Sequence, residues 1–355
     1  MENNSFLNRV LLQFQDGSKQ LREDISAIVL TPEGHLWLGA DETTTVERLD
    51  PTDSDTFEEH QQFPVSDFIY LPAGTEQEID IEGLDYANHY LWLVGSHSWK
   101  RKKNKSNKTD LENIKRLATI ESEANRYILA RIPLVDGQLF KSCKHPDNPK
   151  QQLSAATLQL TKKANVLMDA LAKDPHLSSF IVGKIPSKDN GLDIEGIAVN
   201  QNSIFLGLRG PVLRGWAIIL ELELKEISPN ILKLKPIGED GHLYKKHFVD
   251  LMGLGIRDLC WHGQDLLILA GPTMVLDGPV KVFRLKNGIN RQENVLLKPE
   301  PVLDISYGDR VDHAEGITLF GGMPDKPSIL VVYDSPAPQT RLEGENGIFA
   351  DVFQL

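Results

Sequence analysis

The sequence predicts an all-β chain, a β-propeller of four-stranded blades, most simply five, with two mainly helical insertions in its second repeat. Three observations predict it. A five-residue apolar and acidic motif recurs five times. Each copy belongs to a set of four short apolar runs. The chain finishes one run short of a full set and begins with the missing run.

The motif copies are Asp24-Ile25-Ser26-Ala27-Ile28, Asp80-Ile81-Glu82-Gly83-Leu84, Asp193-Ile194-Glu195-Gly196-Ile197, Gly255-Ile256-Arg257-Asp258-Leu259 and His313-Ala314-Glu315-Gly316-Ile317. A second apolar run starts at 36, 91, 204, 266 and 329. A third covers Thr45–Leu49, Tyr127–Ile132, Ala217–Leu222, Val280–Leu285 and Ile348–Phe353. A fourth is read at Asp67–Tyr70, Ser179–Val182, His247–Leu251 and Pro301–Ile305, with Val10–Phe14 standing before the first motif. These runs are short, β-branched or aromatic, and bounded by Gly, Pro, Asn and Asp, as strands are. Four strands per repeat read as propeller blades. A β-sandwich built from similar strands is the competing architecture.

The third motif residues fall at 26, 82, 195, 257 and 315. The interval from 82 to 195 has room for a sixth blade. It is read instead as one repeat carrying insertions at about 98–125 and 137–177. The first opens with the basic run 100–108, followed by a Thr109/Glu112 capping box and apolar residues at helical spacing. In the second, Val166, Leu167, Ala170 and Leu171 share a helical face. Pairing Val10–Phe14 with Ile348–Phe353 would close the last blade and remove a free edge. Residues 1–355 are therefore expected to form one domain.

The chain has 38 basic and 50 acidic residues, a net charge of −12, which argues against general nucleic-acid binding. Its two cysteines, Cys143 and Cys260, form no disulfide framework. No apolar run approaches membrane-spanning length and no export signal is visible, so a cytoplasmic location is expected. No P-loop, dinucleotide fingerprint, zinc-binding histidine/cysteine set or nucleophile-elbow motif is read in the sequence.

Strand alternation would put the third motif residues, Ser26, Glu82, Glu195, Arg257 and Glu315, into one axial channel. Asp24, Asp80, Asp193 and His313 would lie nearer its mouth. Three close glutamates need an offset: Arg257, raised pKa values, or a bound cation. Oxygen ligands suit a hard cation such as Ca²⁺, with Glu82, Glu195, Glu315, Asp80 and Asp193 as the candidate ligands. The alternative is that these carboxylates clamp backbone amides of the next blade. Gly207–Trp216, with Arg209 and Arg214, reads as a shaped cationic rim loop able to hold a carboxylate or phosphate, or equally as a turn that its glycines permit, with Arg209 paired to a channel glutamate. His97 and His313 are further rim candidates for substrate contact and proton transfer.

Gly207-Leu208-Arg209-Gly210-Pro211-Val212-Leu213, with Gly191–Gly196 and Arg214–Ala217 around it, resembles the signature of an uncharacterised bacterial domain-of-unknown-function family. That resemblance covers most of the chain, implies a propeller and assigns no activity. The Asp-x-Glu-Gly strands resemble those of esterase-like phytase propellers, which implies metal-assisted ester or phosphoester hydrolysis. Two functions follow as expectations. One is a channel-mouth hydrolase of an anionic small molecule, with Glu82, Glu195, Glu315 and His313 in acid, base or metal-holding roles and Arg209, Arg214, Arg257 and His97 contacting substrate. The other is a non-catalytic propeller that binds a ligand or a protein.

Overall fold

The computed structural model of the chain describes residues 5–15, 19–238, 241–289, 295–308, 310–321 and 327–355. Strand β1 (Phe6–Gln13) belongs to the last blade. The first blade is β2 (Ile25–Leu30), β3 (Leu36–Ala40), β4 (Thr45–Pro51) and β5 (Thr56–Pro64). The second is β6 (Ile81–Ala87), β7 (Tyr90–Gly95), β8 (Leu129–Val135) and β9 (Ala156–Leu158). The third is β10 (Asp193–Asn200), β11 (Ser203–Leu213), β12 (Trp216–Ser228) and β13 (Lys245–Asp250). The fourth is β14 (Gly255–His262), β15 (Asp265–Gly271), β16 (Val280–Leu285) and β17 (Glu300–Ile305). The fifth is β18 (His313–Phe320), β19 (Ser328–Asp334) and β20 (Gly347–Gln354), completed by β1.

Within each blade the strands pair antiparallel. The first strands touch in cyclic order, β2 to β6 to β10 to β14 to β18 and back to β2. That ring makes the fold a β-propeller. Both faces of each blade are apolar, so each needs a neighbour on both sides. Five hydrophobic clusters lie between successive blades. Trp92 and Leu129 of the second meet Ile194, Leu206 and Leu220 of the third. Phe205 and Ile219 of the third meet Ile256 and Ile268 of the fourth. Burial of one such side chain contributes about 1.5–3 kcal/mol, so the ring is held by repetition of this contact.

β1 joins β20 with Val10 opposite Ala350 and Leu12 opposite Ile348, so the chain's two ends share a sheet. Leu11 and Leu12 also pair parallel with Thr56 and Phe57, linking this blade to the first.

Two outer strands differ from the sequence expectation. Asp67–Tyr70 is not the first blade's outer strand; Thr56–Pro64 is, and a 3-10 turn follows over Val65–Asp67. Ser179–Val182 lies in a helix, Ser178–Val182, and the second blade's outer strand is Ala156–Leu158. A four-residue apolar run does not separate helix from strand by pattern. The second insertion also holds a hairpin, Ser142–Lys144 with Gln152–Ser154, besides the helix Val166–Leu171 capped by Asn165. The first insertion has the helix Asp110–Leu117, opened by reciprocal Thr109/Glu112 capping. Lys100–Arg101 and Ile120–Glu121 pair at its base.

Leu12 is fully buried against both termini's sheet. Leu12→Ala is expected to lower unfolding free energy by about 2–5 kcal/mol in urea titrations. An unchanged midpoint would show that the terminal strand carries little of the fold's stability.

Candidate metal centre at the channel mouth

The innermost strands share a defect in the same place. Their ladders skip Ser26, Glu82, Arg257 and Glu315, and Glu195 together with Gly196. A β-bulge leaves a residue unpaired and re-aims its side chain. The bulged residue is the third of every motif. The second and fifth motif residues then fall in one cluster, as Ile25 with Ile28 and Ile194 with Ile197 do. The simple alternation of positions one, three and five is therefore interrupted by the bulge. Gly196 permits the close approach this requires: its φ is +87°, and a Cβ there would lie 2.7 Å from Cα of Asp258 in the next blade.

The bulges bring carboxylate oxygens of Glu82, Glu195 and Glu315 within 4.8 Å of one another. All three are buried, at 8%, 1% and 8% exposure. A second group, Asp41, Asp80 and Glu82, is equally tight, so Glu82 belongs to both. Asp41 comes from the loop after β3, on the rim where the motifs begin.

Three arginines neutralise part of this charge. Arg126 pairs with Asp80 and Glu78. Arg209 donates from Nη1 to Glu195 Oε1 at 2.8 Å and lies 3.7 Å from Asp193. Arg257 pairs with Glu315 and lies 3.4 Å from Glu195 Oε2. Glu82 has no hydrogen-bond or ion-pair partner among the described residues. Oδ1 of Asp41 and Oδ1 of Asp193 are buried without a hydrogen bond.

The pKa directions follow from this geometry. Burial, then the charges of Asp41 and Glu195, pushes Glu82 well above the carboxylate range. Burial, then Asp80, does the same to Asp41. Burial and Glu195 push Asp193 up to about 8, with Arg209 opposing. Asp80 and Glu315 are also raised by burial, against Arg126 and Arg257 respectively.

Clamping between blades falls largely to other groups. Asp85 accepts from Val199 N at 2.6 Å, and Asp258 accepts from Ile317 N at 2.8 Å. The Ser26 hydroxyl donates to the Ile81 carbonyl. Glu82, Glu195 and Glu315 make no such backbone bond among the described residues.

Several expected site residues lie elsewhere than the sequence suggested. His97 is fully buried rather than on the rim. Its Nδ1 donates to the Gly95 carbonyl at 2.7 Å, and Asn165 donates to its Nε2 at 2.8 Å. Burial lowers its pKa to about 4, so it is neutral and structural. The Gly207–Leu213 segment is not a loop but the end of β11; the turn is only Arg214–Gly215. Arg209 is buried and turned to Glu195, whereas Arg214 is an exposed turn residue. His313 is half-exposed, 3.9 Å from Asp334 and 3.7 Å from Asp277, and the Asp334 carboxylate raises its pKa. Much of the basic insertion is paired: Lys100 with Glu78 and Glu123, Arg101 with Asp189, Lys102 with Glu121. The charges of Lys188 and Lys103 reach Asp41 and Asp24.

Sequence reasoning missed Asp41, Arg126, Asp85 and Asp258. Asp41 follows the second strand in the short rim loop 40–44, and Asp258 stands where three other motifs have glycine. Those were the available signals.

The fold and this mouth define a class: a β-propeller whose channel entrance carries a buried carboxylate cluster that its arginines only partly neutralise. Residues 24–351 match the family described as "Protein of unknown function (DUF3616)", and the chain belongs to that family. No curated protein matches the sequence. Among solved structures, the chain is similar to a streptogramin B lyase at 10% identity and a TM-score of 0.38, covering 99% of this chain and 100% of that one. It is similar to the PQQ-bound aldose sugar dehydrogenase of Streptomyces coelicolor at 9% identity and a TM-score of 0.38, covering 98% and 99%. A luciferin-regenerating enzyme matches at 9% identity and a TM-score of 0.37, covering 98% and 96%. Likenesses this distant transfer no activity.

The strand arginine and the turn arginine should separate cleanly. Arg209→Ala leaves Glu195 and Asp193 buried without their partner and is expected to cost about 3–5 kcal/mol. Arg214→Ala, at an exposed turn, is expected to stay within about 0.5 kcal/mol. Urea unfolding of both variants checks this; equal effects would contradict the placement.

Proposed function

We propose that the protein is a metal-assisted hydrolase of an anionic ester or phosphoester, with its site at the channel mouth. The observation that supports this most is Glu82, buried, unpartnered and shared by two carboxylate groups. An all-oxygen ligand set from Asp41, Asp80, Glu82, Glu195 and Glu315 suits a hard, geometrically tolerant cation such as Ca²⁺. A cation bound there supplies positive charge to polarise a carbonyl or phosphoryl oxygen.

The chain's own residues take the remaining roles. Asp193, outside that ligand set and with its Oδ1 free of hydrogen bonds, is the carboxylate suited to accept a proton from water. His313, with its pKa raised beside Asp334, is suited to return a proton to a leaving oxygen. Arg209 and Arg257 hold Glu195 and Glu315 in position. Lys188, whose charge reaches Asp41, favours approach of an anion across an otherwise acidic rim. The likeness of the Asp-x-Glu-Gly strands to esterase-like phytases points the same way. A binding role has one observation of its own: Leu111, Ile114 and Leu117 of the insertion helix are exposed, an apolar stripe suited to a protein partner.

Ca²⁺ titration calorimetry of the purified chain and of Glu82→Gln is the test. The native chain is expected to bind Ca²⁺, and the variant to lose at least about tenfold in affinity. Protons compete for these oxygens, so affinity should fall as pH drops through the raised range of Glu82 and Asp41, which burial and neighbouring carboxylates hold well above their ordinary values. Cleavage of nitrophenyl esters or phosphates should require the cation. Absence of Ca²⁺ binding, or hydrolysis indifferent to chelator, would contradict the proposal.

A further inference from the structure

A different kind of ligand set lies on the opposite face. The β6–β7 turn consists of Asn88 and His89, with φ values of +55° and +61°. It sits at the far end of β6 from Asp80 and Glu82. The hairpin of the second insertion places His145 and Asp147 against it. His89 Nε2 and Asp147 Oδ2 are 3.0 Å apart although 58 positions separate them in sequence. The His89 and His145 rings meet edge to face with centroids 4.8 Å apart. One ligand atom from each of the three residues falls within 4.8 Å of the other two.

We infer that His89, His145 and Asp147 form a zinc-type metal site that fastens this hairpin to the second blade. Imidazole with carboxylate suits Zn²⁺ and other late first-row divalent ions, not the oxygen-seeking cation of the channel. The spacing fits. Ligands about 2.0–2.1 Å from a tetrahedral ion lie about 3.3 Å from each other. The His89–Asp147 separation is within a few tenths of that, and a small shift of the half-buried His145 ring completes three ligands. The fourth position stays open to water.

The hairpin gives the site a purpose. Its strands, Ser142–Lys144 and Gln152–Ser154, form a two-stranded sheet outside the blade ladders. An isolated two-stranded hairpin is marginal in water. Its inward anchor is Leu153, 1% exposed in the cluster between the second and third blades. Without a metal the far end, at 145–151, is held by the His89–Asp147 contact and by its own turn, where Asp147 N donates to His145 Nδ1 at 3.1 Å, a bond that ligation by Nδ1 would replace. A metal at this end ties together segments from two parts of the second repeat, and it stabilises the folded chain by mass action.

The experiment is Zn²⁺ titration calorimetry with thermal unfolding on the full chain. It is repeated on His89→Gln, His145→Gln and Asp147→Asn, with Glu82→Gln as the channel control. One Zn²⁺ should bind and raise the melting temperature. Each histidine substitution should weaken binding at least about tenfold, and Asp147→Asn should weaken it less. Glu82→Gln should leave this Zn²⁺ site intact, and His145→Gln should leave channel Ca²⁺ binding intact. Far-ultraviolet circular dichroism confirms that the variants fold; Asp147 is exposed and the two histidines are partly so, and all three positions are expected to tolerate change. Zn²⁺ binding unaltered by both histidine substitutions, binding abolished by Glu82→Gln alone, or no Zn²⁺ binding would each overturn the site.

Discussion

The β-bulge at the third motif residue is the constraint on which the channel depends. A regular strand would commit that residue to the ladder. The bulge frees it in all five innermost strands, and four of the freed side chains, Glu82, Glu195, Arg257 and Glu315, meet, while Ser26 bonds the Ile81 carbonyl. The same bulge resets the strand's parity, so that the second and fifth residues both reach the hydrophobic layer between blades. Packing and chemistry are thus set by a single local irregularity. Changing the motif glycine or its apolar neighbours would disturb both.

Charge at the mouth is then a matter of allocation. Arg126, Arg209 and Arg257 each serve particular carboxylates: Asp80, the Asp193 and Glu195 pair, and Glu315. Each arginine is itself buried, so each needs its acid as much as the acid needs it. Glu82 and Asp41 fall outside this arrangement. A buried carboxylate without a partner can remain protonated or bind a cation, and either state removes the unpaired charge. The cluster is unlike the inter-blade clamps formed by Asp85 and Asp258, whose oxygens are satisfied by backbone amides. Asp85 and Asp258 are satisfied in that way, and Glu82 is not.

Much of the fold was legible in the sequence because the inter-blade contact recurs. Each repeat needs the same apolar pair, and in three repeats the same glycine, so the period is visible. The N-terminal strand was legible for a related reason: an incomplete last repeat implies a donor. The outer strands were not. Ala156–Leu158 is three residues long and sits at a blade edge, where packing imposes little pattern, while Ser179–Val182 has strand-like composition and forms a helix. In the site, the glutamates were visible as repeated exceptions to an apolar motif. Asp41 and Arg126 come from loops with no repeat to expose them. Arg209 was misplaced because Gly207 and Gly210 resemble loop punctuation. Their role is close packing: a Cβ on Gly210 would lie 2.4 Å from the Gly191 carbonyl oxygen.

The role proposed for Glu82 is to organise a cation site rather than to stay a buried neutral acid. Crystals grown near neutral pH and soaked in Mn²⁺, with data collected at the manganese edge, test it directly. A cation site there gives an anomalous peak at the channel mouth, at coordination distance, about 2–2.6 Å, from a Glu82 oxygen. Further oxygen ligands then come from Asp41 and Asp80 or from Glu195 and Glu315. No anomalous density in the channel, with Glu82 protonated and hydrogen-bonded to a neighbouring carboxylate, would contradict it.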